Sequence, residues 1–118
     1  MRNFYDNLFD RALFFNKSSG VNGVGHNAIM LLNKDNEGLI FSFYSTDCSI
    51  PNTFYTNAEM RFGILNADEV ENLLYGENKN TLFLVASDNS VEMETYDRYA
   101  YFDLPNGGYN IYNAAVGF

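Results

Sequence analysis

Hydrophobic positions along this chain fall into short blocks separated by Gly, Asn and Asp. The blocks do not share one period. Residues 24–33 and 39–45 are near-continuous apolar runs rich in Ile, Leu and Phe. Such runs predict two strands that are apolar on both faces, as in the middle of a covered sheet. Lys34-Asp35-Asn36-Glu37-Gly38 between them is a turn by composition, so the pair predicts an antiparallel hairpin. Residues 81–86, TLFLVA, predict a third strand.

Other blocks carry a helical spacing. Phe4, Leu8, Ala12 and Phe15 predict a short amphipathic helix over residues 3–15, with Asn3 as its cap. A second helix is predicted over residues 66–76. Asn66 caps it, Glu69 stands at the capping-box position, Leu65, Val70, Leu73 and Leu74 form its apolar stripe, and Gly76 ends it. Ser87 or Ser90 could cap a third from about Val91 to Tyr101, although the aromatic content there leaves a strand open. Residues 16–23 read as a loop, and residues 46–63, with Pro51 and several Thr and Asn, as irregular. Leu104-Pro105-Asn106-Gly107-Gly108 is a break, and the last ten residues read as the start of a helix.

Composition narrows the picture. At 118 residues, 47% hydrophobic and 17% aromatic, the chain predicts one folded domain over 1–118 with a core of its own. A formal net charge of -8 disfavours nucleic acid and anionic membranes, which both want a basic face. Solubility explains the acidity most simply, and capture of a basic partner is the sharper explanation. A single cysteine excludes an internal disulfide, and one His with one Cys is too few for a zinc site, so neither metal nor cofactor is expected. Asp6, Asp10 and Arg11 interrupt any signal-peptide core, and no run is long enough for a membrane span. The expectation is a cytoplasmic chain or one exported as part of a larger protein.

The lone histidine, His26, heads the first apolar strand after Gly25. An imidazole so placed is either a structural residue held by a backbone carbonyl or a general base. Cys48, in the loop after the second strand, could be a thiolate near it, but a half-buried small apolar residue is the plainer reading. The pairs Glu69/Glu71 and Glu92/Glu94 are two apart and share no helix face, so they read as solvated charges. Gly20-Val21-Asn22-Gly23-Val24-Gly25 precedes a strand, where a dinucleotide fingerprint would follow one, which excludes nucleotide binding on that motif. Tyr96, Tyr99 and Tyr101 read as core rather than as a stacking platform.

The segment GHNAIMLLNKDNEGLIFSFYS resembles the opening of a domain found at the ends of RHS-repeat and related bacterial polymorphic-toxin proteins. The matching positions are Gly25, His26, Ala28, Gly38, Tyr44 and Ser45. The tail Tyr109-Asn110-Ile111-Tyr112-Asn113-Ala114-Ala115 resembles that domain's closing Tyr-Asn…Asn-Cys motif, with Ala114 or Ala115 where the family carries cysteine. The domain is similar to a circularly permuted relative of the NlpC/P60 papain-like thiol hydrolases.

The resemblance, over roughly residues 20–118, implies a single α+β domain: an antiparallel sheet with helices packed against it, papain-like in permuted order. It implies a hydrolase or acyltransferase acting on a peptide, amide or ester. His26 would take the thiol proton, with Ser42 or Tyr44 orienting its ring. The helix start near Asn113 would receive the oxyanion, and Ala114 or Ala115 would stand where the nucleophile belongs. With alanine there the site could bind an acyl substrate but form no thioester, as in an inactivated variant or a pseudoenzyme. Two other classes compete: a small acidic binding module, such as an immunity protein that caps a basic toxin, and an interaction domain of a phage or secretion apparatus.

Overall fold

The computed structural model describes residues 8–18, 25–45, 58–105 and 108. Within these described residues seven strands and one helix follow in order: β1 (Phe9–Lys17), β2 (His26–Asn33), β3 (Gly38–Ser45), β4 (Ala58–Leu65), α1 (Ala67–Tyr75), β5 (Thr81–Val85), β6 (Val91–Thr95) and β7 (Arg98–Asp103). All strand pairs are antiparallel, in the order β6-β5-β4-β3-β2-β1-β7.

That order makes the sheet curl. Laid flat, seven strands would hold β6 and β7 roughly 29 Å apart at the usual strand spacing. Yet only Tyr96 and Asp97 separate them in the chain, and three residue steps reach no more than about 11 Å. The sheet therefore bends into a half-barrel whose edges meet at this corner. Successive amides stitch it: Tyr96 N–H donates to the Asn80 carbonyl at 2.8 Å and Asp97 N–H to the Asn16 carbonyl at 2.9 Å.

The expected α+β, papain-like arrangement is thereby overturned. Among the described residues one nine-residue helix accompanies seven antiparallel strands, so the described fold is mostly β. The helix predicted over 3–15 is, where described, strand β1. Its stripe of Phe4, Leu8, Ala12 and Phe15 ignored that Leu13 and Phe14 are apolar too. A segment apolar on both faces and rich in Phe suits a strand flanked on both sides, and β1 lies between β2 and β7. The helix from Val91 to Tyr101 is strands β6 and β7. Val91, Met93 and Thr95 alternate with Glu92 and Glu94, a period of two. The irregular stretch 46–63 holds the first six residues of β4, where Met60, Phe62 and Ile64 alternate with Glu59, Arg61 and Gly63. The hairpin of β2 and β3, strand β5 and the helix after Asn66 stand as expected.

Local chemistry explains the turns and the helix. At the β2–β3 turn the buried Asn33 side chain accepts from the amides of Asp35 and Glu37, and Asn36 takes a positive φ of 61° that Asn tolerates. The capping box of α1 is closed in both directions, Glu69 N–H to Asn66 Oδ1 at 2.8 Å and Asn66 N–H to Glu69 Oε1 at 3.1 Å. Val70, Leu73 and Leu74 of α1 are buried among Leu13, Met30, Leu32, Ile40 and Leu82 on the inner face of the sheet. Each such burial stabilises by roughly 1.5–3 kcal/mol. Gly38 allows the approach: a Cβ there would lie 3.2 Å from Val70 Cγ2 and 3.0 Å from Met30 Sδ.

The two faces differ from the expectation of a fully covered sheet. Inward residues include Leu13, Phe15, Met30, Ile40 and Leu84, all buried. Outward residues such as Phe43, Met60, Phe62 and Met93 are substantially exposed.

Candidate functional site: a histidine-centred polar cluster

His26 begins β2, where its Cα pairs with that of Lys17 on β1, and its side chain points to the inner face. Ser42 and Tyr44 on β3 share that face, with Arg61 and Glu59 opposite them on β4. Three of the residues singled out from the sequence are thus brought together. His26 Nε2 lies 2.7 Å from Ser42 Oγ, and the His26 and Tyr44 ring centroids are 4.3 Å apart. Asn113, Ala114, Ala115 and Cys48 lie outside the described residues, so the nucleophile and oxyanion positions carry no structural description.

The hydrogen bonds assign the tautomer. Ser42 Oγ is also 2.7 Å from the Asn27 carbonyl oxygen. A carbonyl can only accept, so the single hydroxyl proton of Ser42 goes to Asn27. Ser42 must then accept from His26, which places the ring proton on Nε2 and leaves the lone pair on Nδ1. Ser42 itself is 2% exposed with its proton committed, so it is an anchor for the ring and a poor nucleophile.

The electrostatics agree. Burial lowers the His26 pKa from 6.5, with nearby Arg61 and Lys17 pushing the same way and Glu94 opposing them. The imidazole is therefore neutral at pH 7. Arg61 lies 4.0 Å from the Tyr44 ring centroid, within cation–π range. It also pairs with Glu59 at 3.3 Å. Glu59 in turn accepts from the Ser87 amide and hydroxyl, both at 2.6 Å, and this hydroxyl is the leading reason its pKa lies below the usual value. Lys17 and Glu94 pair at 3.6 Å across the cluster.

Tyr96 closes the group from the β6–β7 corner. Its hydroxyl is 3.5 Å from that of Tyr44, and burial, then Tyr44, raise its pKa well above the usual phenol value. As expected, Tyr96 belongs to the core, at 3% exposure, whereas Tyr101 is exposed. Reading 46–63 as irregular hid Arg61 and Glu59. The strict alternation beginning at Ala58 was the signal that could have found them.

Away from this cluster, a concavity of about 670 Å³ opens between α1 and the β1–β7 side of the sheet. Tyr75, Tyr99 and Tyr101 line it, together with Asp68, Glu71 and Arg11. Arg11 is engaged with Asp10 at 3.1 Å and with the Asn33 carbonyl.

Fold and cluster together define a curled antiparallel β protein with an anchored histidine on its inner face. In comparisons with family models, curated proteins and solved structures, the chain matches none. Among the described residues no group of three or more His, Cys, Asp or Glu could hold a metal ion, and no helix is long and apolar enough to cross a membrane.

Proposed function

We propose that this chain is an acyl hydrolase or acyltransferase domain in which His26 is the general base, acting at an amide or ester, and that it lacks its thiol as written. The observation that supports the reading is the Asn27–Ser42–His26 relay. It holds Nε2–H in place, leaves Nδ1 without a partner among the described residues, and keeps the ring neutral. A base needs an oriented ring, an open lone pair and a pKa at or below working pH. The reading does not need a papain-like layer arrangement, which the sheet excludes.

The chemistry would run as follows. A thiol supplied at position 114 or 115 gives its proton to His26 Nδ1, and the thiolate attacks the acyl carbon. The imidazolium then returns the proton to the departing amine or alcohol, and water cleaves the thioester. With alanine at both positions the cycle stops before its first step.

The test uses Ala114→Cys and Ala115→Cys, each in a Cys48→Ser background, reacted with iodoacetamide at pH 6.5. At least one new thiol is expected to react about tenfold faster than free cysteine, and His26→Ala to abolish the gain. If neither variant outpaces free cysteine, the reading fails.

A second reading rests on the concavity beside α1. Three tyrosines with Asp68 and Glu71 suit a Lys or Arg side chain, by cation–π attraction and ion pairing, so the domain would be an acidic module that grips a basic protein. A Lys-rich test protein should bind, lose affinity at least tenfold between about 50 and 300 mM salt, and lose it again in Tyr101→Ala with Glu71→Gln. Binding that ignores both salt and these substitutions would exclude this site.

A further inference from the structure

The outward side chains of β3 to β6 make a continuous apolar surface. Phe41 and Phe43 stand opposite Phe62 and Met60, beside the exposed Ile64, and Phe83 and Val85 stand opposite Met93 and Val91. Phe62 pairs with Val85, which joins the two halves. Only Thr81 and Thr95, at one end, are polar among the outward side chains described on these four strands.

The size of this surface is informative. Seven of its large apolar side chains are between 39% and 65% exposed. At about 200 Å² for a large apolar residue, they present on the order of 700 Å². A monomer's largest apolar patch is typically about 300–600 Å², whereas each partner in a stable complex buries about 800 Å². The patch thus exceeds what a lone molecule usually exposes and approaches what a dimer buries.

Its chemistry selects the occupant. The chain carries a net charge of -8, yet among the described residues none of that charge stands on this face, so a basic protein or an anionic surface finds no counter-charge there. The matching partner is equally apolar and uncharged. A second copy supplies such a face at equal concentration, and two copies meet without opposing carboxylates.

We infer that the protein is a homodimer in which the β3–β6 faces of two copies pack against each other. The arrangement is an isologous two-sheet sandwich, with sheets about 10 Å apart. This inference is independent of the His26 reading, since those side chains point to the opposite face.

Sedimentation velocity of the full chain from about 1 to about 100 µM tests it. The expected species has twice the 13.4 kDa chain mass. Met60→Glu and Met93→Glu, each checked for a native far-UV spectrum, are expected to weaken dimerisation at least tenfold. If Met60→Glu does not fold, Val91→Glu takes its place. Added sulfate should strengthen the dimer, because like charges elsewhere are screened and apolar burial is favoured. A wild-type chain that stays monomeric throughout would overturn the inference, whether its face proves covered by its own chain or binds neutral vesicles. So would folded variants that dimerise like wild type.

Discussion

The inner face of the sheet has two ends built on opposite principles. At the end near Leu32 and Gly38, the helix lays Val70, Leu73 and Leu74 onto Leu13, Met30 and Leu32, an apolar contact between buried side chains. At the end near His26, the same face of the same strands carries Ser42, Tyr44, Arg61 and Glu59. Position along a strand, not strand periodicity, decides which environment a residue meets. The dry end holds by apolar burial, which tolerates no loss of volume. The polar end holds by mutual satisfaction of donors and acceptors, and any single deletion strands its neighbours.

The sharpest break falls at the dry end. Leu73→Ala removes a buried side chain from the helix–sheet contact, and is expected to cost about 3 kcal/mol in urea unfolding. A loss below about 1 kcal/mol would mean that the helix contributes little to holding the half-barrel.

At the polar end, Ser42→Ala leaves both the Asn27 carbonyl and His26 Nε2–H without their partner. The expected cost is about 2 kcal/mol. The conservative Ser42→Thr should recover part of it if the extra methyl fits. The Ser42→Ala cost should also shrink in a His26→Phe background, as the shared hydrogen bond requires, and simple additivity would argue against that bond.

The smallest effect distinguishes the ends by pH. The His26 pKa is lowered in the fold from 6.5. Above 6.5 both folded and unfolded chains hold it neutral, so it contributes nothing. As pH falls below 6.5 the unfolded chain takes up a proton that the folded chain resists, and stability drops. Wild type should lose about 1–4 °C of Tm relative to His26→Gln between pH 7 and pH 5.5. Glu59 and Asp97, with pKa values lowered chiefly by hydrogen bonds from Ser87 and Ser18, lose their contribution only at more acidic pH. Parallel Tm curves for the two proteins would mean that His26 is as solvated in the fold as out of it.

Much of this was legible locally. The capping box at Asn66 and Glu69 needs only four residues, and the turn at Asn33–Gly38 only six, so both could be read directly. The family resemblance, not the local pattern, pointed to Ser42 or Tyr44 beside His26, and all three side chains lie together. Strand β1 was misread because five apolar residues among nine satisfy a helical stripe and a strand alternation alike. Strands β6 and β7 were misread because a cap at Ser90 outweighed the alternation that follows. What covers such segments is settled by neighbours far along the chain.

The amino-acid order alone determined the short-range features: where the helix is capped, where the chain turns, which residue is the sole imidazole, and that the chain is acidic. Those depend on contacts within a few residues. Long-range strand pairing curls the sheet until β6 and β7 share a corner, brings Arg61 and Glu59 to the face of His26, and turns a row of Phe and Met outward. Each of these depends on pairing between strands tens of residues apart. A period of two marks which residues share a face, but it cannot say which face turns inward.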